Sequence, residues 1–166
     1  MHKPDGGTSY TIHYGDLSER HFMTGRKPNS GSLLIPAIDL TKYKKPVFRF
    51  WLYMDTEQRD KSDLLSVLAG KKVVWSKNIQ NVVMKQWQRI EIDLTKFVGK
   101  KIDILIDFDT VDGLNNKGAG VYLDNFTISE SSDLDNKSEP HIFKPRPVIE
   151  DDDTVIKGEK ELTLKF

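Results

Sequence analysis

The acidic residues between positions 101 and 129 raise the first chemical question. That stretch reads KIDILIDFDTVDGLNNKGAGVYLDNFTIS. Ile102, Ile104, Ile106 and Phe108 alternate with Asp103, Leu105, Asp107 and Asp109. A period of two marks a strand with one buried face. The segment from Asp109 to Gly120 then gathers two aspartates, two asparagines and three glycines. Val121 to Ile128 returns as a second strand, with Asp124 and Asn125 in its middle. A carboxylate inside a strand is costly unless it is solvated, paired or bound to a cation. Asp124 is therefore the residue that most needs a reason.

Catalytic constellations are weak by comparison. His2, His13, His21 and His141 are scattered, with no HExxH and no paired spacing for a metal. Ser, His and Asp are all present, but no GxSxG elbow exposes a nucleophile. Two carboxylates for glycoside hydrolysis can be drawn from any of the acidic loops, yet each acid has a simpler task as a turn cap or a cation ligand. Gly113, Gly118 and Gly120 do not open a helix, so they do not form a phosphate loop. Sugar binding needs exposed rings. The candidates are Trp75, Trp87 and Tyr43, with Tyr53 as a further one, while the apolar neighbours of Trp51 place it in the core. No row of aromatics is visible along the chain.

These residues need elements to hold them. Thr8–Tyr14 alternates as a first strand, and Leu17–Thr24 is a less regular segment anchored by Phe22. Ser32–Leu40 is apolar but contains Pro36, which suits an edge strand or a bulge. Pro46–Met54 (PVFRFWLYM) is the most apolar stretch and predicts a central strand covered on both faces. Leu64–Leu68 and Val73–Lys77 flank a Gly-Lys-Lys turn, and Trp87–Leu94 alternates cleanly. The hexamer Ile38-Asp39-Leu40-Thr41-Lys42-Tyr43 returns as Ile92-Asp93-Leu94-Thr95-Lys96-Phe97, with five of six positions identical. That predicts one strand-exit geometry used twice. No segment keeps a helical period. Many short strands with frequent turns predict an all-β sandwich of two antiparallel sheets.

The chain has 166 residues, 37% hydrophobic and 30% charged, with zero formal net charge and no cysteine. This allows one domain with a real core. It excludes disulfides, zinc ribbons and cysteine nucleophiles, and gives no general attraction to nucleic acid. No apolar run reaches the roughly 20 residues of a membrane helix. The polar start, Met1 to Gly7, has no signal-peptide core and is expected to be a boundary inside a longer chain. Residues 1–129 are expected to form the sandwich. Residues 130–166 read as a linker and acidic tail, rich in Ser, Asp, Asn and Pro. Glu161–Phe166 (ELTLKF) alternates again, either as an added strand on an open edge or as a chance pattern.

Four segments resemble MAM-like jelly-roll modules, which accompany secreted bacterial metallopeptidases of the immune inhibitor A type and other surface proteins. They are Tyr14-Gly15-Asp16, Gly31–Leu40 (GSLLIPAIDL), Phe48–Glu57 (FRFWLYMDTE) and Phe108–Asn125 (FDTVDGLNNKGAGVYLDN), in the order of that family. The chain departs from it in having Val121-Tyr122 in place of Trp-Tyr, Asp124-Asn125 in place of two acids, and a shorter hairpin over Leu65–Trp75.

The resemblance implies a jelly-roll β-sandwich that is not catalytic. It implies an extracellular or cell-surface accessory module for adhesion or for binding carbohydrate or protein, within a larger chain and without membrane insertion. It also implies a structural calcium ion, for which Asp124, Asp16, Asp55, Asp109 and Asp112 are the candidate ligands, with Glu57 and Asn115 beside them. Calcium takes six to eight oxygens, and strand ends brought together from distant sequence are where such a set would form. Two other readings stay open: an assembly module that pairs through its C-terminal strand, and a hydrolase.

Overall fold

A computed structural model describes residues 11–16, 21–23, 25–59, 61–79 and 82–131. The expectations for residues 1–10, 17–20 and 132–166, including ELTLKF, lie outside the described residues.

Eight strands form two four-stranded sheets. They are β1 (Ile12–Tyr14), β2 (Ser30–Asp39), β3 (Pro46–Asp55), β4 (Leu64–Ala69), β5 (Lys72–Ser76), β6 (Gln88–Asp93), β7 (Lys101–Asp109) and β8 (Gly120–Glu130). One sheet has the order β1-β8-β3-β6 and the other β2-β7-β4-β5, and every pairing is antiparallel. Each sequential connection except the β4–β5 hairpin passes from one sheet to the other. This is the jelly-roll connectivity.

The core follows from the alternation. Phe48, Phe50, Leu52 and Met54 of β3 are almost wholly buried. They share one cluster with Leu65, Val67 and Ala69 of β4 and with Ile102, Ile104, Ile106 and Phe108 of β7. Phe22 joins them edge-on to Phe108, with ring centroids 5.7 Å apart. β3 is central, between β8 and β6, as its composition predicts, but it is not covered on both faces: Trp51 and Tyr53 are half-buried on the outer one. β2 is an edge strand. Its register shifts between Ile35 and Ile38, and Ala37 takes φ +54° there while the Asp103 carboxylate accepts its N–H at 2.8 Å.

The repeated hexamer folds twice into one turn. Asp39 accepts the Thr41 N–H (2.9 Å) and hydroxyl (2.5 Å), and Asp93 accepts those of Thr95 (2.7 and 2.5 Å). Tyr43 N–H and Phe97 N–H return to the carbonyls of Leu40 and Leu94, both fully buried. In the second copy the turn is a 3-10 helix, Thr95–Phe97. Both carboxyls are held below the usual range, chiefly by the threonine hydroxyls.

Asp124 now has its reason. The β3–β8 register shifts between Arg49, opposite Thr127, and Trp51, opposite Asp124. Asn125 sits in this β-bulge with φ +53°, a conformation that asparagine tolerates better than most residues. The Asp124 carboxylate accepts the Asn125 N–H at 2.6 Å and the Thr11 hydroxyl at 3.4 Å.

Candidate functional site

The outer face of the β1-β8-β3-β6 sheet carries the densest set of side chains suited to a ligand. On β3, Arg49, Trp51 and Tyr53 alternate with the buried Phe48, Phe50, Leu52 and Met54, and so point away from the core. Register places Tyr122 of β8 opposite Tyr53, and His13 of β1 opposite Tyr122. Trp87 immediately precedes β6.

These four rings touch in sequence. His13 stacks on Tyr122 with centroids 4.1 Å apart and planes 22° from parallel. Tyr122 meets Tyr53 edge-on at 5.7 Å, and Tyr53 meets Trp87 at 5.7 Å and 46°. With neighbouring strands ~4.8 Å apart, the row is about 15 Å long. His13 Nε2 donates to the Ala119 carbonyl at 2.8 Å, which fixes the end of the row.

Beside the row lies a cleft of about 120 Å³, lined by Arg49, Phe50, Trp51, Arg89, Asn125 and Thr127. Arg49 is 6% exposed. Its Nη1 donates to the Ser129 hydroxyl, and its Nε lies 3.5 Å from Glu91. Arg89 reaches the same Glu91 oxygen at 2.5 Å.

The aromatic candidates divide. Trp87 belongs to the row. Trp75 is 2% exposed and packs edge-on to Phe50 in the core, which corrects its place as a ligand candidate. Tyr43 is half-buried against the core beside its turn. Trp51, expected in the core, is half-buried on the outer face and lines the cleft. Tyr122 and His13 were not singled out by sequence. The row joins residues from four separate segments, so linear spacing holds no trace of it; only the strand register assembles it.

The acidic candidates take separate positions. Asp16 donates its N–H to His21 O at 2.8 Å in an isolated bridge. Asp55 ends β3, accepting the Ala119 N–H at 3.1 Å and lying 3.4 Å from the Lys85 ammonium. Asp109 and Asp112 cap turns, accepting the N–H groups of Val111 (2.7 Å) and Leu114 (2.8 Å). Asp124 is four residues along the ladder from the Asp55 pairing, about 13 Å away at the strand rise. Among the described residues no three His, Asp or Glu side chains gather in a way that would hold a metal ion.

Buried oxygens do converge at one place, around an acid that sequence reasoning passed over. Asp63 is fully buried, with φ +51°. Its Oδ2 accepts the Glu57 N–H at 2.7 Å, while Oδ1 has no hydrogen-bond partner among the described residues. The Lys77 side chain is buried beside it and donates to the carbonyls of Glu57 (2.8 Å) and Ser62 (2.7 Å). Burial pushes the Asp63 carboxyl up to about 6, against the pull of the Glu57 N–H and Lys77. The carbonyls and carboxylate that a calcium ion would seek here already face an ammonium group. The residues therefore fit a lysine better than a divalent cation.

The fold and its outer face define a jelly-roll β-sandwich with an aromatic surface. No family model matches the chain, and no curated protein matches it. Among solved structures it is similar to the K1 cleaved adhesin domain of Lys-gingipain from Porphyromonas gingivalis W83, at 15% identity over 75% of this chain and 99% of that one, with a TM-score of 0.39. A likeness at that TM-score carries nothing about function. Among the described residues no helix is long and apolar enough to cross a membrane.

Proposed function

We propose that this chain is a non-catalytic extracellular accessory module that binds carbohydrate on the outer face of the β1-β8-β3-β6 sheet. The observation that supports it is the contiguous row His13–Tyr122–Tyr53–Trp87. Ring faces offer flat apolar area with an electron-rich quadrupole, which suits the C–H face of a pyranose. Aromatic pairs also stabilise sheets by about 0.5–1.5 kcal/mol each, so the test must separate binding from folding. Glycan-array screening followed by calorimetric titration does this with Tyr53→Ala and Trp87→Ala. The expected result is a loss of affinity of about tenfold or more in each variant, while the melting temperature stays well above that of the assay. Absence of glycan binding, or binding indifferent to both substitutions, overturns the proposal.

In place of the structural calcium ion that the family resemblance implies, we propose Lys77 as the fixed cation of the loop end. The support is its two carbonyl acceptors beside the buried Asp63.

A further inference from the structure

We propose that the cleft beside the aromatic row is an anion subsite, so that the saccharide bound on this face is an acidic one, bearing a carboxylate or a sulfate ester. This rests on the carbohydrate-binding reading above and narrows its ligand class.

Arg49 carries an unused donor. Arg49 has five N–H groups. Nη1 is taken by Ser129, and Nε lies near Glu91. Nη2 is buried and has no hydrogen-bond partner among the described residues. A buried guanidinium nitrogen without an acceptor is uncommon and costly in a folded protein. Nη2 itself is covered, so an anion in the cleft of about 120 Å³ that Arg49 lines meets the exposed Arg89 first, with the Arg49 charge directly behind it.

The charges around the cleft leave room for an anion. Arg49 and Arg89 both pair with one carboxylate, Glu91, whose Oε1 lies 3.5 Å from the first and 2.5 Å from the second. Two guanidinium groups therefore share a single negative partner. Asp124, opposite Trp51, is the other carboxylate nearby; it keeps its charge while accepting the Asn125 N–H and the Thr11 hydroxyl, but it does not line the cleft. Arginine is the side chain whose planar fork matches a carboxylate or an oxyanion of sulfur.

The remaining lining suits a sugar. Asn125 and Thr127 bring an amide and a hydroxyl, and Trp51 an apolar wall. Trp51 and Tyr53 are alternate residues on one face of β3. A pyranose stacked on the row thus reaches the cleft with a substituent, without leaving the sheet. The bulge at Asn125 opens this place, because it widens β8 opposite the gap between Arg49 and Trp51.

The test uses the full chain and two matched pairs of probes: oligogalacturonate with its methyl ester, and dextran sulfate with dextran. The pairs separate a carboxylate from a sulfate source. Titration calorimetry is run on the wild type, Arg49→Lys, Arg89→Gln and Trp87→Ala, with a melting curve for each. The expected result is tighter binding of one charged probe than of its neutral partner by about tenfold or more. Arg89→Gln and Arg49→Lys should remove that margin, while Trp87→Ala weakens charged and neutral probes alike. Arg89 is exposed, so its variant reports even if Arg49→Lys unfolds. Equal affinity for charged and neutral probes, with loss of both on Trp87→Ala, overturns the anion subsite and leaves the aromatic platform standing. A charge preference untouched by Arg89→Gln and by folded Arg49→Lys also overturns the subsite. No binding to any probe, or binding untouched by Trp87→Ala, overturns the platform itself.

Discussion

His13 stacks on Tyr122, with ring centroids 4.1 Å apart and planes 22° from parallel. The contact ties the three-residue edge strand β1 to the longest strand of its sheet. His13→Ala should therefore act on the row from its end. It removes the stack and the 2.8 Å bond to Ala119 O. The expected cost is about 1–2 kcal/mol of stability, read by denaturant unfolding, with a smaller affinity loss than Trp87→Ala gives. A larger binding loss than in Trp87→Ala would place the centre of the platform at the β1 end.

Asp63 gives the fold a pH signature. Burial raises its carboxyl from 3.8 to about 6. The folded state then holds the proton more tightly than the unfolded chain does. By linkage this contribution is fully present below the unfolded value and is lost as pH rises through about 6. The melting temperature at pH 5 relative to pH 7.5 should be higher in the wild type than in Asp63→Asn. Identical pH slopes in the two proteins would remove Asp63 as the source.

Lys77 is expected to be indispensable, and calcium not. Lys77→Met leaves the Glu57 and Ser62 carbonyls without their donor and takes a positive charge from beside Asp63. Losing two buried hydrogen bonds from a charged group costs about 3–5 kcal/mol. Differential scanning calorimetry should show that loss, and should show one melting temperature for the wild type in calcium and in chelator. A rise with calcium would reinstate the ion.

The twin turns should lose stability with the opposite pH sense to Asp63. The threonine hydroxyls hold Asp39 and Asp93 below the usual range. That contribution is present above the unfolded value and is lost as pH falls through the folded one. Thr41→Val and Thr95→Val should each lower the melting temperature by about 2–4 °C at neutral pH and by much less near pH 2. Equal effects at both pH values would show that the turns gain nothing from the ionised acids.

The sandwich was legible because alternation and turn residues act locally. Pro36 in an apolar run predicted an edge strand or a bulge, and β2 has both; the repeated hexamer predicted one strand-exit geometry used twice, and the two turns match. The surface was not legible, because Tyr53 and Tyr122 become neighbours only through a ladder between strands nearly seventy residues apart. Trp51 misled for a related reason. Its apolar neighbours belong to the opposite face of the same strand, and Arg49 shares its side. Asp63 escaped notice because nothing in a charged loop tells which acid will be buried.

The single extra residue at Asn125 acts on β8 as a frameshift acts on a message. Before it, Val121 and Leu123 face inward; after it, Phe126 and Ile128 do, an odd interval where an unbroken strand demands an even one. Ironing out the bulge with Asn125 retained would turn either the first half or the second half of the strand inside out, whereas deleting Asn125 would restore strict alternation with Tyr122 and Thr127 still on the outer face. The aromatic row is written in one frame and Thr127 of the cleft in the other, so the two halves of the face exist together only because the strand changes phase between them.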